Sequence, residues 1–210
     1  MSVNHNFSKY YNNEKFSDFI ISIKSDDDCI PPSKIWVHSI IMGSVSPLFE
    51  TWFSSSLRNN NIFEITHHTV DAVEYAIKWV YGYPDEITTK EQYKNVIAVS
   101  HFLQLKLFNI LANEYTFDMR IDLIYDLHFT IVEVIQMACL YSSKDLLYVA
   151  MKMCSDACRG TGEVIVDFSE LTSSECTMFF TKWRRYDGYI QNIRFLSVNG
   201  RVIGLKHHLP

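Results

Sequence analysis

Two residues in the N-terminal third, Asp18 and His38, have the types needed for acid–base chemistry. Asp18 opens an alternating apolar run and His38 closes a second one, so both fall at the ends of expected strands. A carboxylate that orients an imidazole acts only on a third group, such as a nucleophile or a bound metal. No G-x-S-x-G or P-loop motif supplies one. The structural assignment is preferred: Asp18 fixes the strand entry, and His38 sits at a strand–helix junction and bonds nearby backbone. The metal-ligating types lead to the same place. Cys154 and Cys158 lie one helical turn apart, but no second ligand pair follows them, and a structural zinc needs four ligands. They read as packing thiols. His67-His68 and His207-His208 are adjacent pairs, and adjacent side chains point apart on any regular element. "RGTG" (159–162) holds two glycines without the strand–helix context of a phosphate cradle, and reads as a loop. No enzyme activity, cofactor or metal is expected.

The remaining chemistry is that of surfaces. "WVHSIIMGSVSPLFETWF" (36–53) carries Ile40, Ile41, Val45, Leu48, Phe49, Trp52 and Phe53. A helix that buries one face needs an apolar stripe about 100° wide, and this stretch has more. Either it is buried on nearly all sides, or its second face meets another molecule. At the N-terminus, "NFSKYYNNEKF" offers Phe7, Tyr10 and Tyr11 with nothing obvious of their own to cover.

The elements that position these residues follow from periodicity. "FSDFIISI" (16–23) alternates and is β-branched, as a strand should be. "KSDDDCIPPS" turns the chain, and "KIWV" (34–37) makes a second strand, so the two read as a hairpin with a long loop. Pro47 kinks the next helix or starts a fresh one. "IFEI" (62–65) is a third strand. Thr69 or His68 then caps a helix bearing Val70, Val73, Ile77, Val80 and Tyr81, and "GYP" ends it. Thr88 with Glu91 matches a capping box opening a helix over 88–104. A second helix, "LKLFNILANEYTF", follows directly. The pattern stays helical from about 121 to 158 and breaks at "RGTGE". Two short helical pieces follow over 167–183, with Thr172 capping and Glu175 at the box position. Two β-prone runs in 193–205 flank Asn199-Gly200, a strong hairpin signal.

Composition narrows the class. The chain is 48% apolar, enough for a core. Its net charge of −5, with both signs interspersed, leaves no basic footprint for nucleic acid. The cysteine count is odd, at five, and Met1–Tyr11 has no apolar signal-peptide core. A reducing compartment, cytosolic or nuclear, is expected. No apolar run reaches the roughly 20 residues that span a bilayer.

With the elements in this order, residues 7 to 117 resemble a BTB/POZ domain. The resemblance is carried by "FSD" (Phe16, Ser17, Asp18), His38 after the second strand, "SPLF" with Ser46 and Phe49, Tyr81-Gly82, and "IAVSHFLQLKLF". It departs from the family at Val37, at Ser39 in place of Arg or Lys, and at Met42-Gly43-Ser44 in place of a Leu-Ala-Ala run. Residues 118 to 183 look like the start of a BACK domain. The implied architecture is α+β: a BTB/POZ domain at 1–117, with a small sheet flanked by helices, a partial BACK-like helical region at 118–190, and a C-terminal hairpin at 191–210. No Kelch repeat follows.

The resemblance implies a protein–protein interaction adaptor that homodimerises and holds an unidentified protein target. Its N-terminal arm would pack across the dimer axis through Phe7, Tyr10, Tyr11, Phe16 and Asp18. It also implies a second partner, the N-terminal helical domain of a cullin, met by Phe49, Phe53, Leu57, Asn59 and Tyr81. Ile41, Val45, Leu48 and Trp52 would point inward. Cullin binders carry a hydrophobic-x-Glu motif after this helix; here it is Leu57-Arg58-Asn59, and an amide cannot match a carboxylate's charge-assisted bonds. The alternative is an oligomerisation or structural assembly module with no ligase link. Frequent Ile, Asn, Lys, Tyr and Phe suit an AT-rich genome, and short BTB–BACK proteins of large DNA viruses are similar.

Overall fold

The computed structural model describes residues 7–24, 29, 31–55, 61–83, 86–114, 117–161, 164–183, 193–196 and 202–204. The chain divides into two compact units, 1–111 and 112–210.

In the first unit, β1 (Phe19–Ile23) is the middle strand of a sheet ordered β2-β1-β3, with β2 at Ser33–Val37 and β3 at Ile62–Ile65. β1 and β2 run antiparallel, with Phe19 opposite Val37 and Ile21 opposite Ile35. β3 runs parallel to β1, with Ile21 opposite Phe63. The alternation read from the sequence is real: Phe19, Ile21, Ile23, Ile35 and Val37 are buried together. The 36–53 stretch is not one helix. It forms α1 (Ser39–Val45) and α2 (Pro47–Ser54), parted by Ser46 in an extended conformation. Proline lacks the N–H that would continue a helix, but it suits a first helical position. The buried Ser46 hydroxyl accepts from the Phe49 N–H at 3.2 Å and donates to the Leu103 carbonyl at 2.6 Å. It thus caps α2 and ties it to the helix that ends near residue 102.

The next helices are α3 (Val70–Val80), α4 (Lys90–Phe102) and α5 (Lys106–Asn109), followed by a π-helical stretch, Ile110–Glu114. Thr69 caps α3 as expected. The α4 cap is one residue later than the Thr88 box predicts: Thr89 Oγ1 accepts from the Gln92 N–H, and the Gln92 side chain accepts from the Thr88 N–H. Thr89-x-x-Gln92 fits the same sequence pattern, although the return bond comes from the residue before the cap. Helix ends repeat one device. After α3 and α4 a residue turns left-handed, Gly82 at φ 86 and Gln104 at φ 52. Paired 6→1 and 5→2 backbone bonds close each end, the Schellman arrangement.

The second unit holds α6 (Phe117–Asp126), α7 (Ile131–Leu140), α8 (Lys144–Thr161), β4 (Val164–Asp167), α9 (Ser173–Trp183), β5 (Ile193–Leu196) and β6 (Val202–Gly204). Its core gathers Ile124, Phe129, Val134, Leu146, Phe168 and Phe179. The long helical reading from 121 is corrected here. The chain breaks after α6 and after α7, at His128 (φ 55) and Ser142 (φ 51), and a Thr130–Glu133 capping box opens α7. α8 runs through Arg159–Thr161, so "RGT" is helical. β4 begins just after the expected loop, where the sequence pattern assigns no element, and 173–183 is one helix behind the Thr172–Glu175 box. β5 and β6 pair antiparallel, as the Asn199-Gly200 signal predicts, and β5 also pairs with β4 in parallel. Asn199 and Gly200 themselves lie outside the described residues, as do His207 and His208. No helix among the described residues is long and apolar enough to cross a membrane.

Candidate protein-interaction site

Asp18 and His38 do not form a dyad. The Asp18 carboxylate accepts from the Ser39 N–H at 2.7 Å and from the Ser39 hydroxyl. An acidic side chain thus takes one of the amides that the start of α1 leaves without a helical partner. His38 is buried against Tyr81, 43 residues away. The Tyr81 hydroxyl accepts from the His38 backbone N–H at 2.9 Å and lies 3.0 Å from Nδ1. The donor in the Nδ1 contact depends on the imidazole tautomer, and Nε2 is buried with no hydrogen-bond partner. Burial drives the Tyr81 phenol well above its ordinary pKa, more than the His38 amide lowers it.

The N-terminal arm covers this pair. A 3₁₀ turn, Ser8–Tyr10, sets Tyr10 edge-on to His38, and Tyr11 edge-on to Tyr81 and Tyr83. The Tyr83 hydroxyl donates to the Ser8 carbonyl at 3.1 Å, and the Trp36 N–H donates to Asn12 Oδ1 at 3.0 Å. Phe7, Tyr10 and Tyr11 are half-buried against this unit's own core. The arm therefore has a surface of its own chain to cover. No local pattern signals that surface, because it is assembled from His38, Tyr81 and Tyr83, far along the chain.

The residues expected to face a cullin separate into three groups. Phe49 and Tyr81 are fully buried, which moves them from the partner-facing set to the core. Phe49 packs between Phe19 and Phe63, at 5.8 and 4.9 Å between ring centres. Phe53 is half-buried, with its ring 4.7 Å from that of Phe19. Leu57 and Asn59 lie outside the described residues. Ile41, Val45, Leu48 and Trp52, expected inward, are half-buried on the core's rim, while Met42 and Phe49 are the innermost.

Among the described residues, the apolar side chains that this unit exposes most are Phe16 and Ile40, at 72% and 82%. They flank the two ends of the Asp18–Ser39 clasp. Phe16 was anticipated at an interface; Ile40 was not assigned, although the excess apolar face of 36–53 pointed to such a residue. Phe16 also holds a left-handed φ of 73, which is strained for a bulky side chain.

A family model described as BTB/POZ domain matches residues 7–118, just over half of the 210 residues. The chain belongs to the BTB/POZ domain family. Among solved structures it is similar to the BTB domain of zebrafish PATZ1, at 14% identity and a TM-score of 0.37, over 49% of this chain and 78% of that one. No curated protein matches. BTB/POZ domains are protein–protein interaction and oligomerisation modules, and the geometry suits that use. The chemistry-bearing residues of the BTB unit, Asp18, His38 and Tyr81, are spent on holding α1, the arm and the core together, while Phe16 and Ile40 stay exposed.

Proposed function

We propose that the chain is an interaction adaptor that homodimerises through the BTB unit, with Phe16 and Ile40 at the centre of the contact and the arm residues Phe7, Tyr10 and Tyr11 at its edge. The observation that carries this is the exposure of two large apolar side chains, one two residues before Asp18 and one next to Ser39, the two residues that the clasp joins. Isolated exposed apolar residues are ordinary, but two that adjoin joined residues suit an isologous contact. Ile40→Asp would place two buried carboxylates at such an interface. Sedimentation velocity at low protein concentration should then show a folded monomer where the parent chain is a dimer, with the thermal midpoint lowered by no more than the lost association. A parent chain that is monomeric at all concentrations, or an unchanged dimer in Ile40→Asp, refutes the assignment.

A cullin N-terminal domain is the second partner in this reading, met by Phe53 with Leu57 and Asn59. The helical order α6–α9 supports a partial BACK-like region behind the BTB unit. The burial of Phe49 and Tyr81 favours the alternative, an assembly module without a ligase link. Titration of a cullin N-terminal fragment decides between them. Binding that weakens in Phe53→Ala and Leu57→Ala supports the ligase link, and no binding at tens of micromolar removes it.

A further inference from the structure

Among the described residues the sheet of the BTB unit ends in two edge strands, β2 and β3, and hydrogen-bond parity says which groups of β2 face out. The Ile20 N–H donates to the Asn61 carbonyl and the Lys24 N–H to the Ile65 carbonyl, at 2.8 and 2.9 Å. Even residues of β1 therefore serve β3, and odd residues serve β2. Opposite them, Ser33, Ile35 and Val37 turn their amides and carbonyls inward. Lys34 and Trp36 turn theirs to the outer edge. Among the described residues, the only partner there is Asn12, whose side-chain oxygen accepts from the Trp36 N–H at 3.0 Å. An amide oxygen in that place stands where the carbonyl of a neighbouring strand would stand. The Lys34 amide and the Lys34 and Trp36 carbonyls have no hydrogen-bond partner among the described residues.

We infer that the outer edge of β2 pairs with the same edge of a second copy of this chain, once Asn12 leaves Trp36. A two-fold axis through Ile35 sets Lys34 of each copy opposite Trp36 of the other. In that register both residues are of the hydrogen-bonded kind, so each pair exchanges both backbone bonds. Lys34 is exposed and Trp36 half-buried on the face opposite Ile35 and Val37, so the pairing also brings an ammonium beside an indole, a favourable cation–π neighbour. The complementarity is internal to the strand, which is why the occupant is a second copy and not an unrelated peptide. The arm that carries Asn12 is poised to let go. Asn12 itself sits at φ 47, and Phe16, between the arm and β1, sits at φ 73. Moving the arm relieves the strain at Phe16.

This edge is separate from the Phe16–Ile40 patch, and the test keeps the two apart. Amide hydrogen exchange at Lys34 and Trp36 is measured on the full chain at low and high protein concentration. Protection should rise with concentration in the parent chain and in Ile40→Asp. In Asn12→Ala it should rise at about tenfold lower concentration, because a competing hydrogen bond is gone from each copy. Lys34→Pro removes an amide that faces outward, so it spares the ladder to β1 and should abolish the rise at Trp36. Trp36→Thr, a strand-compatible second variant, should weaken the rise at Lys34. Exchange that is independent of concentration in both the parent chain and Asn12→Ala overturns the inference. So does protection that survives Lys34→Pro, or that disappears in Ile40→Asp.

Discussion

Replacing Tyr81 by Phe removes one oxygen and separates a structural from a partner-facing role for this residue. The ring is fully buried and stays. The hydroxyl serves two buried groups of His38, the backbone N–H at 2.9 Å and Nδ1 at 3.0 Å. Leaving a buried polar group unsatisfied costs about 1–3 kcal/mol. The N–H cannot move, whereas the imidazole can turn, so the second loss is partial. The sum is about 2–4 kcal/mol, a large part of the roughly 5–15 kcal/mol that holds a domain folded. Urea unfolding followed by tryptophan fluorescence reads this directly, as a lower midpoint at unchanged slope. In a His38→Phe background only the N–H is left to lose, and the same change should cost about 1 kcal/mol less, a coupling that a double-mutant cycle resolves. Sedimentation of the folded variant should show the parent's self-association, since the hydroxyl reaches no surface. A loss below about 1 kcal/mol, or a folded variant that no longer self-associates, would mean that the hydroxyl serves a partner and not His38.

Other outcomes follow from single contacts. Ser46→Ala removes the α2 cap and strands the buried Leu103 carbonyl, so the urea midpoint should fall by the equivalent of about 2–3 kcal/mol. Ser142→Gly should raise stability by about 0.5–1 kcal/mol, because Ser142 holds φ 51 between α7 and α8, where a side chain is strained and glycine is not. Its readout is the thermal midpoint. Stability should also fall in alkali. Burial holds the Tyr81 phenol far above its ordinary value. Burial likewise pushes Tyr125 up to about 12, with the charge of Asp156 and its hydrogen bond adding. Below pH about 10 both states keep these protons. Above it the unfolded chain ionises first, so folding weakens as pH rises towards the folded values. Urea midpoints from pH 9 to 12 should decline, and less steeply in Tyr81→Phe and Tyr125→Phe.

The strands and most caps were legible because their signals are local. Alternation marks β1 and β2, Thr69 and Thr172 start their helices, and Pro47 announces a break. What failed depended on distance or on chemistry with no local marker. A helix stop at Gly82 can be read, but Gln104, His128 and Ser142 take the same left-handed turn without being glycine. Their backbone bonds stabilise a conformation their side chains disfavour. The Thr130–Glu133 box lay inside a continuous apolar run and was hidden by it. Ile41, Val45, Leu48 and Trp52, which the resemblance places inward, do pack against the core, at its rim; the break at Ser46 resets the helical phase, and Met42 and Phe49 become the innermost pair. The His38–Tyr81 contact joins residues 43 apart, and no spacing rule reaches that far.

The arm links the two surfaces of the BTB unit. Residues 8 to 12 lie on His38, Tyr81 and Tyr83, and Asn12 closes the edge of β2. Residues 16 to 18 lead into β1 and end at the Asp18–Ser39 clasp. The clasp is charge-assisted and short, so it is among the stronger hydrogen bonds in the unit. The Asn12–Trp36 bond is a neutral one at an exposed edge, where water competes. When the segment between them moves, the weaker end yields first. If the proposed contacts form, the Phe16–Ile40 contact would persist whether the arm is docked or not, while access to the strand edge would depend on the arm. A module built this way can hold one partner constantly and admit another conditionally, from a segment of about a dozen residues.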